Sequence, residues 1–326
     1  MTHLLYIVSP GHSGSTTLTM LLGQIEGVFA AGELMFLPWQ LDRNGKTGDP
    51  IEDLTLCTCG KSFKECEVWS KVIPQEAFKN PYRKYQLAFL EKQNWQSKAD
   101  GRLKRLGMLV YRRLITNGIN PIFMRPFFAR KIAERNFKLI DDVAEVTKSK
   151  IVVDSTKSLV RFHLLNKFRP SSLIVLTRDP RGLSNSAIKY GRDPGRVLDA
   201  WIYTYGRILN YIESNKINAI WVTYEQMCAE PEKVKSFFAE TFVDADAALD
   251  QGENFQFHLM AGNPSRYRPF SIREDTSWTK SLPDSIRRNV EQQWPRVEDV
   301  YRRLESNCKT VPNMPPLASF ASQPKQ

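Results

Sequence analysis

Residues 4–23 read "LLYIVSPGHSGSTTLTMLLG": a short apolar run, a turn rich in Gly and Ser, then a helical pattern. In a turn of this kind, successive backbone N–H groups form an anion cradle, and the helix that follows adds its positive end. Gly11 and Gly14 permit the turn and a close approach of backbone to ligand. Ser13, Ser15, Thr16 and Thr17 add hydroxyl donors, and His12 stands inside the loop. The nucleoside-triphosphate version, GxxxxGK[ST], places a lysine on the β- and γ-phosphates and a hydroxyl on magnesium. The matching positions here are Gly14-Ser15-Thr16, without a lysine. The loop therefore suits one phosphate joined to a less highly charged group; a Gly/Ser-rich turn with no ligand is the plain alternative.

Working outward, "IVVDS" (151–155), "LIVLTR" (173–178) and "AIWVTY" (219–224) are further short apolar or β-branched runs, each followed by polar residues and a helical pattern. That alternation predicts a central parallel sheet with helices on both faces, a three-layer α/β/α fold of the phosphate-loop type. The expected layout is one domain over residues 1–308. Residues 70–148 form an inserted basic α-helical lobe or lid, and residues 309–326 a flexible tail rich in Pro, Ser and Ala. With 42% hydrophobic and 25% charged residues in 326, the composition is that of an ordinary globular chain. No Lys or Arg precedes Arg43, which argues against a secretory or transit leader, so a cytoplasmic protein is expected. The formal charge is +11, and residues 102–138 hold ten Lys/Arg against one acid, Glu134. Such a field attracts acidic partners.

A second motif, "LIVLTRDPRGLSNSAIKYG" (173–191), sets Arg178 at a strand end and Ser186 on the helix that follows the turn. An arginine fork and a helix-borne hydroxyl grip a second phosphate. The alternative is a plain ion pair of Arg178 with a core carboxylate such as Asp179. Together "SPGHSGSTTL" (9–18) and "LTRDPRGLSNSAI" (176–188) resemble the 5′-phosphosulfate loop and the 3′-phosphate motif of the sulfotransferases. That family uses 3′-phosphoadenosine-5′-phosphosulfate (PAPS). The stretch "IWVTYEQMCAEPEKV" (220–234) is similar to the family's segment whose tyrosine, here Tyr224, touches adenine. The stretches "GNPSRYR" (262–268) and "DTSWTKSL" (275–282) resemble its loop over the 3′-phosphate, which makes Arg266 and Arg268 the implied clamps.

The resemblance implies sulfuryl transfer to a hydroxyl by in-line displacement, with catalysis by positioning and charge stabilisation. Glu33, in "VFAAGELMFLP" (28–38), matches the glutamate proposed as base in the tyrosylprotein and several bacterial sulfotransferases. Burial is expected to raise its pKa toward the working pH. A capping or salt-bridging glutamate is the alternative. Relatives carry Lys or Arg where this chain has His12, which serves either as a cation or as a neutral donor. Lys157 in "VVDSTKS" (152–158) is the candidate permanent charge, with Asp154 and Ser155 orienting it or touching the acceptor. No metal is required, and the product is 3′,5′-adenosine bisphosphate.

The stretch "CTCGKSFKECEVW" (57–69) offers Cys57, Cys59 and Cys66. Reduced thiols under a lid, a disulfide and a metal site all remain open. Zinc wants four ligands, and only His163 and His258 are conceivable as the fourth. The functional reading assigns no metal. The basic lobe interleaves Leu, Phe and Tyr with its charges, so it is either a lid shedding charge into water or a peripheral contact with an anionic membrane. No nucleic-acid partner is expected; the implied partner is a hydroxyl-bearing carbohydrate, glycolipid or small metabolite. Two rival readings are a small-molecule kinase, which the missing lysine disfavours, and a non-catalytic polyanion- or membrane-binding protein on a dead nucleotide fold.

Overall fold

The apolar runs pair into a six-stranded sheet in a computed structural model that describes residues 1–43, 55–85, 110, 113–115, 127–243, 246–249 and 255–312. The strands are β1 (His3–Val8), β2 (Val28–Gly32), β3 (Ile151–Asp154), β4 (Ser172–Thr177), β5 (Ala219–Thr223) and β6 (Cys308–Thr310). They lie in the order β2-β3-β1-β4-β5-β6, and every pairing is parallel. Side chains alternate along β1: Leu4, Tyr6 and Val8 enter one core, Leu5 and Ile7 the other. Both faces are thus covered, which is why these strands read as continuous apolar runs.

The main helices are α1 (Ser15–Leu22), α2 (Phe127–Thr147), α3 (Leu159–Phe168), α4 (Pro180–Lys189), α5 (Val197–Asn215), α6 (Pro231–Phe242) and α7 (Trp294–Asn307). Helices α1 and α6 cover one face through Leu18, Leu21, Val234 and Phe238. The other face packs under α2, α3, α5 and α7 through Leu139, Val143, Phe162, Trp201 and Tyr301. The result is the three-layer α/β/α architecture expected.

Three details differ from the sequence reading. Strand β2 was not anticipated, because "VFAAG" is short and carries small residues instead of a β-branched run. Strand β6 pairs with β5 through Cys308, Lys309 and Thr310, so ordered chain continues past residue 308, where the tail was expected to begin. Residues 127–147 of the expected lobe form α2, whose Ala133, Leu139, Ile140, Val143 and Ala144 are core residues, so this part is a crossover helix leading into β3. Its outer face carries solvated pairs such as Lys138 with Asp142. Most of residues 86–126, on which the lid and membrane-contact expectations rest, lie outside the described residues. Among the described residues no helix is long and apolar enough to cross a membrane.

One backbone contact closes the end of β2. Met260 donates its N–H to Ala31 at 2.9 Å and accepts from the Glu33 N–H at 2.8 Å. Gly32, between them, has φ +81°, and a Cβ there would lie 2.1 Å from the Met260 carbonyl oxygen. Gly32→Ala must therefore push two backbones apart. It should destabilise the fold by about 2–4 kcal/mol in denaturant unfolding. A change within about 0.5 kcal/mol would show that this contact does not hold the β2 tip.

Candidate active site

Strands β1 and β4 are neighbours, but the chain leaves β1 toward β2 and β3, and leaves β4 toward β5 and β6. Connections that diverge from adjacent parallel strands open a crevice at their C-terminal ends. The loop after β1 enters it with His12 at φ 66° and Gly14 at φ 89°, the latter capping α1. Gly14 is required there, since a Cβ would stand 2.5 Å from the Tyr224 ring. The His12 ring stacks on Tyr190 at 4.3 Å. Partial burial, then the charges of Arg192, Lys157 and Arg178, hold its pKa below the usual histidine range. Of the two roles open to His12, the neutral one therefore describes the protein without an anion. The permanent positive charge comes from its neighbours. Exposed Arg192, beside Gly11, is one that sequence reasoning missed, because it follows the second motif by a turn and belongs to no strand end.

Arg178 leaves β4 into the same crevice. Its Nη1 donates to the His12 carbonyl at 3.0 Å, and its guanidinium lies 4.4 Å from the centre of the Tyr224 ring. The buried Nη2 has no hydrogen-bond partner, although the Asp275 carboxylate stands 3.5 Å away. Burial works against ionised Asp275, yet hydrogen bonds from Lys189 and Ser277 hold its carboxyl down at about 2. Asp179 does not pair with Arg178. It caps α4 by accepting from the Arg181 N–H at 2.7 Å and pairs with the Arg181 guanidinium at 2.6 Å. Ser186 lies further along α4 and is largely buried.

On the other side of β1, Glu33 follows β2 and Lys157 follows β3. Lys157 Nζ and Glu33 Oε1 are 2.5 Å apart, and both side chains are mostly shielded. The Lys157 backbone is left-handed at φ 68°, a strained state for a lysine. Buried Asp154 holds that turn: it pairs with Arg161 and accepts from the Thr156 N–H at 2.9 Å. The Ser155 N–H donates to the Gly32 carbonyl at 2.8 Å. Asp154 and Ser155 thus position Lys157 from the core and do not reach outward. Next to Lys157 opens a cleft of about 320 Å³ lined by Met35, Phe36, Leu159, Thr204, Arg207 and Ile208.

The remaining expected residues divide. Tyr224 sits between Gly14 and Arg178, and its hydroxyl accepts from the Asp275 N–H at 3.1 Å. Ser13 is fully buried and its hydroxyl has no hydrogen-bond partner. Thr16 accepts from the Asn263 N–H at 3.1 Å, which ties the 262–268 turn to α1. Ser15 is buried and Thr17 half-buried. Arg268 is exposed and, among the described residues, forms no ion pair. Arg266, the other implied clamp, is buried and directs its Nη atoms to the Gly262 and Leu56 carbonyls and the Tyr267 hydroxyl. It braces the turn from inside.

Fold and site together define an α/β protein with a crevice, rich in cations and backbone donors, at the C-terminal edge of its parallel sheet. No protein-family model matches the sequence, and no curated protein matches it. Among solved structures the chain is similar to a sulfotransferase domain from the curacin biosynthetic pathway, at 15% identity and a TM-score of 0.40, over 90% of this chain and 97% of that one.

Glu225 supports the crevice from below by accepting from the Asp179 N–H at 2.9 Å. Burial, then the charge of Asp179, pushes its carboxyl up to about 8. The folded protein therefore keeps a proton that the unfolded chain releases near the ordinary glutamate pKa of about 4.3. The native state binds more protons between those values, so its stability falls as pH rises from about 5 to about 8. Thermal unfolding should show a midpoint that drops several degrees over that window in the wild type and stays flatter in Glu225→Gln. Parallel curves would remove Glu225 as the cause.

Proposed function

We propose that this protein transfers the sulfuryl group of 3′-phosphoadenosine-5′-phosphosulfate to an acceptor hydroxyl. The observation that carries the reading is the placement of Arg178: a buried guanidinium bonded to the lysine-free loop, stacked on Tyr224, with one Nη still lacking a hydrogen bond. Such a donor suits an anion joined to an aromatic base, and the loop N–H groups beside it suit a second anion. When bound, the nucleotide supplies the sulfuryl group and a phosphate leaving group. Loop backbone, Thr17 and Arg192 are assigned to the 5′ side; Arg178, Ser186 and Arg268 to the 3′-phosphate; Tyr224 to the base.

Glu33 is assigned as the base that takes the acceptor proton, and Lys157 as the cation beside the transferred group. Their contact at 2.5 Å holds each within reach of the same point. His12 is assigned as a hydrogen-bond donor to the leaving phosphate. The cleft beside Lys157 has Met35, Phe36, Leu159 and Ile208 as its apolar wall. This favours an acceptor that carries its hydroxyl on a small apolar body, and a metabolite or lipid suits it better than a sugar chain. The acceptor is assigned no further.

Glu33→Gln keeps the shape and removes the base. With small alcohols and phenols as acceptors, turnover should fall by ~10²-fold or more, while affinity for 3′,5′-adenosine bisphosphate is unchanged. Retained turnover would defeat the base assignment.

A further inference from the structure

We propose that Cys57, Cys59, Cys66 and His258 bind one zinc ion as a structural site. The ligand missing from the 57–69 stretch comes from far along the chain. His258 brings its Nδ1 to 3.2 Å from Cys66 Sγ and 3.8 Å from Cys57 Sγ, and the two sulfurs are 3.5 Å apart. The four donor atoms all lie within 4.8 Å of one another. Tetrahedral zinc with bonds of about 2.3 Å to sulfur and about 2.0–2.1 Å to nitrogen needs S···S near 3.8 Å and S···N near 3.6 Å. The cluster already has that size. His163, the other conceivable ligand, faces Tyr211 instead.

The surroundings of the donors have the form that metal ligation uses. His258 Nε2 meets the Glu67 carboxylate at 2.9 Å, which fixes the proton on that nitrogen and leaves Nδ1 as a lone-pair donor toward the thiols. The Lys61 N–H points to the Cys59 sulfur, and the Gly60 N–H closes the turn onto the Cys57 carbonyl at 2.9 Å. Trp69 Nε1 donates to the His258 carbonyl at 2.7 Å. None of the five cysteines is in a disulfide. Three thiolates and one imidazole are a soft set suited to zinc. With all four positions taken by protein, no place is left for water or substrate, so the ion is structural. Binding releases the three thiol protons to solvent and leaves one net negative charge.

The ion would fasten the 55–73 segment to the stretch 258–260, whose Met260 bridges to Gly32 at the tip of β2. Thr58 bonds the Leu259 carbonyl through its N–H at 3.2 Å, and Met260 closes the tip of β2 against Glu33. Leu56, next to the first ligand, receives the Arg266 and Tyr267 contacts. This is independent of the proposed chemistry, and its test reads metal and folding, not turnover.

The test uses the full chain expressed with zinc in the medium and purified without chelator. Elemental analysis should find about one zinc per chain. Cobalt exchange should give the intense visible bands of tetrahedral cobalt with a thiolate charge-transfer band. Chelation under denaturing conditions should release the metal and expose three further reactive thiols. Cys59→Ser and His258→Ala should lower metal content and the thermal midpoint, and if either variant fails to fold, the wild-type cobalt spectrum still decides. Metal at background, a Cys57–Cys66 disulfide by mass spectrometry, or a cobalt spectrum lacking the thiolate band would each overturn the proposal.

Discussion

The guanidinium of Arg178 is the contact on which the crevice depends. It joins the tips of three neighbouring strands: its own β4, β1 through the His12 carbonyl, and β5 through the face of Tyr224. A planar cation can do this because it donates in its plane and stacks across it, which an ammonium cannot. The arrangement explains local choices that look arbitrary singly. Gly14 must be glycine to let Tyr224 lie against the loop, and Gly182 lets Arg178 pack against α4, its Cα carrying nothing where a Cβ would meet Arg178 Nε at 3.3 Å. Asp275 is the counter-charge of Arg178 and is shared with Lys189.

The second half of the site is built on different physics. Lys157 and Glu33 meet across β2 and β3 because a fully buried pair, Asp154 with Arg161, fixes the turn between them from inside. A buried pair is costly to desolvate and costly to break, so its contribution is to specify one conformation of that turn rather than to add stability. The β2 tip is fixed by Met260 on one side and by Ser155 on the other. His258 of the thiol–imidazole cluster lies two residues before Met260, so the β2 tip leans on that cluster.

The fold was legible where burial makes the pattern plain. Runs covered on both faces, such as 173–178 and 219–224, show as unbroken apolar strands. Strand β2 escaped because Ala30, Ala31 and Gly32 are small, and their size follows from the close approach of Gly23 and Met260, a tertiary fact. The loop, Arg178, Tyr224 and Lys157 were legible because each follows a recognisable strand end and carries a chemistry-bearing side chain. Glu33 was legible only through the resemblance of its Gly-Glu pair, since the strand before it was not visible. The inward orientation of Arg266 was not, because two arginines two residues apart in a turn look alike until Leu56 is in place. The fourth member of the cysteine cluster was not either: nothing local links residue 258 to residues 57–66.

The central claim is that the crevice holds two separate phosphates on one nucleoside. The measurement that tests it most directly is calorimetric titration with 3′,5′-adenosine bisphosphate, AMP and Mg·ATP, on wild type and Arg178→Ala. The account predicts tight binding of the bisphosphate, far weaker binding of AMP and Mg·ATP, and a loss of about 1.5–3 kcal/mol in the variant, as for a charge-assisted contact. Equal affinity for AMP, preference for Mg·ATP, or an unaffected variant would contradict it.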